Sequence, residues 1–435
     1  MSREPSPIDV AVIGGGASGL AAALAAARAG AKVVVVERDV ACGLPILATG
    51  NGRCNFSNTR LGPHRYRHPD VAEEVMGPGA ERRIGDFAAS IGLSTVETEG
   101  RVYPRTRRAE SVRDALIGAC ERTGVEWSCG AEMTSAVHDD ELGAWRLELL
   151  EPERPIFPRG VGRTELRRAR RMRDGCPLAT RELIARTVIL AVGGRSKGIC
   201  DLFGLPHIEE EPLLCPIACS MPGAGQEALP QLDGLRVEGV VALKRKGAAI
   251  AYEEGEVLFR PFGISGIAAF NLSRRCKAGD LLELDLFPEL NAADLERELR
   301  AREGSVGPFT GKAAWFDGLL ARPIAQAAIS LAHPSPNPLK RMSELLHRLP
   351  LEVEGLAERQ QAQVRRGGIP VSALSFPEGR VVAEGLRDLH ACGEAVDMDA
   401  DCGGFNLAWA WTSGAAAGSA AAERSLARST DGKEA

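Results

Sequence analysis

A chain of 435 residues is long enough for about three domains and a large buried core. Apolar residues make up 44% and charged residues 26%, and the formal charge is −5, which excludes a surface given over as a whole to nucleic acid or anionic lipid. Eleven cysteines at irregular spacing exclude a disulfide framework, and the pair Cys215 and Cys219 lacks the companions of a zinc site, so no metal is expected.

Met1–Pro7 has neither an uninterrupted apolar core nor a small-residue cleavage site. The apolar run 10–36 is broken by Gly14, Gly15, Gly16, Arg28 and Lys32. Neither a signal peptide nor a membrane span is expected, and the protein is expected in the cytoplasm. Residues 8–13 read as a strand, 17–29 as a helix of alanine and leucine ended by Gly30, and 32–36 as a second strand leading to Glu37. Residues 42–63, rich in Gly, Asn and Pro, read as an ordered loop. A helix over 110–122 carries Val112, Leu116 and Cys120 at four-residue spacing, and strands near 125–137 and 144–150 follow. Residues 151–175 hold eight arginines and read as an exposed excursion before a buried strand, 186–192, that ends in Gly193-Gly194.

Leu282, Leu284 and Leu286 alternate with Glu283 and Asp285, the pattern of a half-buried antiparallel strand. Between 290 and 350 the period is helical: Leu339, Met342, Leu345, Leu346 and Leu349 share a face, with Asn337 as cap and Pro338 in the first turn. A further strand ends at Gly393-Glu394, a helix runs from Asn406 to about 423, and the polar tail Ser425–Ala435 is expected to fray.

Chemistry concentrates in three places. Gly14, Gly16 and Gly19 have the G-x-G-x-x-G spacing: tight turn, close approach of a pyrophosphate, and helix packed on strand. The following helix start, with Ala17 and Ser18, offers N–H groups to phosphate, and Glu37 offers a carboxylate to ribose hydroxyls. This is a dinucleotide site, with Arg38, Met133, Gly193 and Gly194 assigned to its margin. Far down the chain, Gly393-Glu394 with Asp397, then Gly403-Gly404-Phe405-Asn406, reads as the flavin half of the same site. Glu394 would meet the ribityl chain, and the helix at Asn406 would point its positive end at the pyrimidine edge, where charge gathers on reduction. The third place is Gly50-Asn51-Gly52-Arg53-Cys54-Asn55, a polar lining for a planar ligand. FAD is therefore the expected cofactor. No second glycine turn follows a strand, so NADH or NADPH would visit as a transient reductant. Eleven residues between Cys42 and Cys54 are too many for the close redox pair of flavin disulfide reductases.

These segments resemble the BaiN-like flavoprotein family (also called YhiN- or RdsA-type, with aminoacetone-oxidase-like members). The matching stretches are 46–55, Gly100-Arg101-Val102-Tyr103-Pro104, Gly255–Phe259, Phe262–Gly266, Gly367-Gly368-Ile369, 393–397 and 402–410, in family order over nearly the whole chain. Three features depart from the pattern: the compact Lys197–Gly204, Arg260-Pro261 in place of Thr-His, and the arginine-rich stretch.

The resemblance implies an α/β fold of the glutathione-reductase-like type, with a Rossmann FAD domain built from both chain ends. A β-barrel-like insertion would carry a small helical subdomain. The expected boundaries are 1–210 and 367–435 for the FAD domain, 211–288 and 347–366 for the β-rich domain, and 289–346 for the helical insert. It also implies oxidoreductase activity, here expected to be reduction of an activated, enone-like C=C bond, with Tyr103, Cys402 and Ser265 as candidate proton donors. The alternatives are reduction of a uridine in ribosomal RNA, oxidation of an aminoketone, and a flavin sensor without turnover. A small molecule is the expected partner, and the Arg159–Arg173 segment, seven arginines against Glu165, is where RNA would bind.

Overall fold

The computed structural model describes residues 7–156, 158, 160–223, 228–332 and 335–431. Residues 1–6, Arg159 and the last four residues, on which parts of the sequence reading fall, lie outside the described residues. The chain divides into two units, one of Met1–Glu211 with Val364–Ala435 and one of Pro212–Gln363.

The first unit is built on a parallel sheet. Val33–Glu37 is four buried valines and an acid, a run suited to a strand covered on both faces. It lies beside Ile8–Ile13, which pairs on its other edge with Leu178–Leu190. Glu126–Cys129 and Leu389–Ala391 extend the array at either side, both parallel. The strand Leu178–Leu190 starts earlier than expected, because its first half pairs antiparallel with Ala144–Pro152, itself hairpinned to Glu132–Asp139. Two alanine-rich helices, Ala17–Arg28 and Phe405–Asp431, pack together beneath the sheet. A Cβ on Gly414 would stand 2.3 Å from the Ser18 carbonyl, and one on Gly418 would stand 2.2 Å from that of Ala22. Glycine alone permits so close a crossing.

Three sequence expectations are corrected here. The arginine-rich stretch is not all excursion: Arg163–Asp174 is a helix, with Leu166 and Ala169 buried against Val40. Arg170 grips Asp39 through two bonds of 2.9 and 2.6 Å, and Arg173 donates to the Arg38 carbonyl at 3.0 Å. The tail does not fray at Ser425; the helix runs to Asp431. Ser425 is fully buried and bonds Asp9, while Arg424 and Arg428 pair with the buried Asp388, so the polar residues are its anchors. The loop 42–63 contains a short helix, Leu44–Ala48, a 3-10 turn, Thr49–Gly52, and a short strand, Ser57–Asn58.

The second unit is a closed antiparallel barrel in the order Ile217–Ser220, Gly263–Ser265, Ala248–Arg260, Arg236–Arg245, Leu281–Asp285 and Leu349–Leu356. Leu282 and Leu284 turn inward with Val241, Leu243, Val257, Phe259, Leu351 and Val353. Ala292–Val306, Arg322–Leu331 and Pro338–Leu346 intervene before the last strand. Leu349 belongs to that strand, not to a helix face, and Asn337 makes no side-chain cap; its side-chain amide oxygen accepts from Arg300 at 2.6 Å instead. Among the described residues no helix is long and apolar enough to cross a membrane.

Candidate functional site

Close approaches of backbone set the turn after Ile8–Ile13. Gly14 lies at φ +108°, where a Cβ would be 2.3 Å from the Ala191 carbonyl oxygen, and a Cβ on Gly19 would be 1.9 Å from that of Gly14. Gly16 differs, since a Cβ there would meet nothing within 4 Å. It precedes Ala17–Arg28 without a side-chain cap, and no acid stands in the first turn. A helix start with unused N–H groups beside an open approach fits a diphosphate.

Glu37 is fixed beside that turn. One carboxylate oxygen accepts the Gly15 N–H and the other the Asp39 N–H, each at 2.7 Å. Burial raises its pKa above the ordinary value, against those two donors. Each oxygen keeps a lone pair that could take a ribose hydroxyl. Arg38 is exposed, and Met133 is buried on a strand that reaches this end through Ala131, whose N–H meets the Glu37 carbonyl at 3.1 Å.

The asparagine-glycine loop is held in an uncommon backbone form. Gly50, Asn51, Gly52 and Cys54 all have positive φ, of 55°, 53°, 81° and 53°. Such strain at two non-glycine residues persists only where the surroundings impose it. Cys54 is fully buried, and burial pushes its thiol up to about 11, which disfavours the nucleophilic thiolate. Asn51 and Arg53 are exposed, and the Arg53 guanidinium lies 5.8 Å from the Tyr103 ring centroid. Arg107 approaches the same ring at 4.5 Å. Asn55 Oδ1 is buried without a hydrogen-bond partner, close to Gly404.

The C-terminal segment is clasped by this loop. Asn58 donates to the Gly403 carbonyl at 2.8 Å, Trp411 to that of Phe56 at 2.9 Å, and Tyr66 to that of Phe405 at 3.1 Å. A Cβ on Gly404 would be 2.4 Å from the Ser57 carbonyl oxygen, which explains glycine there. Gly393, at φ +64°, abuts Ser18 of the dinucleotide helix, so the far end of the chain touches the near end. Glu394 accepts the Arg365 N–H at 2.6 Å and lies beside Gly194, while Gly193 turns at φ +70°.

Two assigned side chains are otherwise engaged. Asn406 folds back, its amide exchanging bonds of 2.9 and 3.0 Å with the Ala400 peptide, so it closes the turn and only its backbone faces the helix start. Asp397 takes the Gly367 N–H at 2.9 Å and pairs with Arg67 and His68. Asp399 and Asp401 continue the alternation, paired with Arg366 and Arg65. These pairs were missed by the sequence reading, though Asp-x-Asp-x-Asp was there to be seen. Arg365, whose buried Nε has no partner, was missed as well. Cys402 is half-buried beside Gly403, and Ser265 is buried in the barrel unit.

The uncapped helix start, the unpaired Asn55 oxygen and the unpaired Arg365 Nε all fit a large polar cofactor. With a single dinucleotide turn in the sequence, a nucleotide held there would be a resident redox carrier, and the class is that of the FAD-dependent oxidoreductases. Within this class the chain belongs to the HI0933-like family. Residues 8–152 match the family's Rossmann domain and 211–364 its barrel and H2TH domain, together more than half of the chain.

Among curated relatives, the 3-dehydro-bile acid delta(4,6)-reductase of Clostridium scindens is 28% identical over 95% of this chain and 99% of its own length. The ribosomal RNA dihydrouridine synthase of Escherichia coli K12 is 24% identical over 93% and 96%. Among solved structures, a 3-ketosteroid-delta4-(5alpha)-dehydrogenase from Rhodococcus jostii aligns over 97% of this chain and 98% of that one, at 16% identity and a TM-score of 0.46.

Proposed function

We propose that this oxidoreductase reduces an activated carbon–carbon double bond conjugated to a carbonyl. FAD, when bound, supplies hydride chemistry. The Gly14–Gly19 turn with Ala17 and Ser18 would hold its diphosphate, and Glu37 its ribose, with Arg38 and Met133 at the adenosine margin. Gly50–Asn55, Gly193-Gly194 and Gly403–Asn406 would line the ring and its chain, with Glu394 at the ribityl hydroxyls. Asp397 would act by fixing the backbone at Gly367. NADH or NADPH would be the reductant.

The observation that carries the reading is Tyr103 with both the Arg53 and the Arg107 guanidinium against its ring. Addition of hydride to one carbon of an enone leaves negative charge on its oxygen and requires a proton at the neighbouring carbon. A phenol beside two cations offers the proton, and the cations favour the developing anion. The bile-acid reductase relative supports the same reaction class. Cys402 and Ser265 remain the other candidates for this proton.

Tyr103→Phe should slow the oxidation of reduced flavin by a conjugated enone by roughly 10²- to 10⁴-fold. FAD content should be unchanged. Anaerobic stopped-flow mixing reads both, and an unaltered rate would remove Tyr103 from the reaction.

A second reading has a specific observation behind it. Arg163, Arg167 and Arg171 lie in one row of the helix Arg163–Asp174, all exposed, with no ion pair among the described residues. Cβ atoms four residues apart on a helix are about 5–6 Å from one another, close to the step between phosphates of a strand. With the ribosomal RNA dihydrouridine synthase relative, this supports a uridine in RNA as the reduced double bond.

A further inference from the structure

Cys42 and Cys129 come from separate parts of the first unit and meet. Cys129 ends the strand Glu126–Cys129, in register with Glu37. Cys42 lies on the turn beyond Glu37, and its sulfur is 3.8 Å from that of Cys129. Cys42 is buried and Cys129 is half-buried, so one side of the pair is the more accessible Cys129. On the other side stands the dinucleotide turn: Cys42 Sγ is 2.4 Å, and a Glu37 carboxylate oxygen 3.2 Å, from the place a Cβ on Gly15 would occupy. The turn bearing Cys42 is tied to Gly15 as well, because the Gly43 N–H bonds the Gly15 carbonyl at 2.7 Å. Arg113 holds the Cys42 carbonyl at 2.9 Å.

We propose that Cys42 and Cys129 form a reversible disulfide that loosens the dinucleotide site. The oxidant is hydrogen peroxide, a by-product of flavoproteins exposed to oxygen. Cys129 is the attacking sulfur, since it is the more accessible and the hydrogen bond from Cys42 holds its pKa below the usual thiol range. Its thiolate attacks one peroxide oxygen, the O–O bond breaks, and the released hydroxide takes a proton and leaves as water. The Cys42 sulfur then attacks the sulfenic acid, the S–O bond breaks, and the departing hydroxide takes the Cys42 proton to form a second water. Two thiols have lost two electrons, and one peroxide has gained them.

Bonding closes the gap from 3.8 Å to the ~2 Å of a disulfide. Cys129 is held in the sheet, so the movement falls on Cys42 and its turn. That withdraws Cys42 Sγ from Gly15 and pulls on Gly15 through Gly43. The Gly15 N–H then loses its alignment with Glu37, and with it the carboxylate that faces the ribose.

The experiment is a peroxide titration of the FAD-loaded protein, read by peptide mapping and by the affinity for FAD from its fluorescence on release. The expected result is a linked peptide pair bearing Cys42 and Cys129. FAD affinity should fall about tenfold, the worth of one charge-assisted hydrogen bond, and dithiothreitol should reverse both changes. Cys129→Ser should bind FAD as the unaltered chain does and lose the response. Three results would each overturn the proposal: no linkage at peroxide levels that oxidise other cysteines, linkage with unchanged FAD affinity, or an equal loss of affinity in Cys129→Ser.

Discussion

Burial pushes the Glu394 carboxyl up to about 7, although one of its oxygens accepts the Arg365 N–H. Lost hydration outweighs a single donor. In the unfolded chain the same group titrates near 4.5. Across the interval between, the unfolded chain releases a proton that the folded chain keeps. Stability held by protonated Glu394 is thus fully present below about 4.5 and is lost as pH rises through about 7. Glu394→Gln keeps an acceptor for Arg365 and never ionises. In urea melts of FAD-free protein, the variant should match the parent at pH 4.5 and exceed it by roughly 1–3 kcal/mol at pH 8. An equal difference at both pH values would contradict this.

Residues whose role lies in local backbone were legible in the sequence. Gly14, Gly16 and Gly19 announce their turn by spacing, because each meets an atom, or an opening, fixed by the same strand and helix. Asn406 was not legible to the same degree: its amide partner is the Ala400 peptide, which only the folded turn brings into range. Arg365 had no signal at all, since its neighbours Glu394 and Gly194 lie far away along the chain.

At the scale of elements, the helix Arg163–Asp174 shows why composition misleads. Its buried face is only Leu166 and Ala169, too little for periodicity to register, and it is docked by Arg170 on Asp39, far earlier in the chain. The same long-range pairing hid the last turns of the C-terminal helix, whose anchors are Asp9 and Asp388. Where an element carries its own apolar pattern, as Val33–Glu37 and Leu281–Asp285 do, the sequence located it. Because Arg170 and Arg173 are occupied, the test of RNA binding belongs to Arg163, Arg167 and Arg171. Replacing all three by Gln should weaken binding of a ribosomal RNA fragment and lower its salt slope by about 2–3. An unchanged slope would remove this helix from any RNA surface.

At the scale of the whole molecule, the chain leaves its first unit at Glu211 and returns at Val364. The return supplies Gly393, packed on Ser18, and Gly404, packed on Ser57, so the two ends meet at the candidate site. This was readable because both fragments carry glycine patterns with a physical purpose. The surroundings of the proposed proton donor were not, because the meeting of Tyr103 and Arg107 is set by the fold. Five of the sheet's strands run parallel, three of them from the first 130 residues and two from later, which is how separated fragments come to one edge.

The central claim is best tested by a single anaerobic turnover. The protein is reduced by NADPH or dithionite, then mixed with a conjugated enone, and the visible flavin band is followed while the product is analysed. The account predicts that the oxidised band returns and that one saturated ketone forms per flavin. A flavin that stays reduced through a panel of enones and a uridine-bearing RNA, and is oxidised only by oxygen, would contradict it.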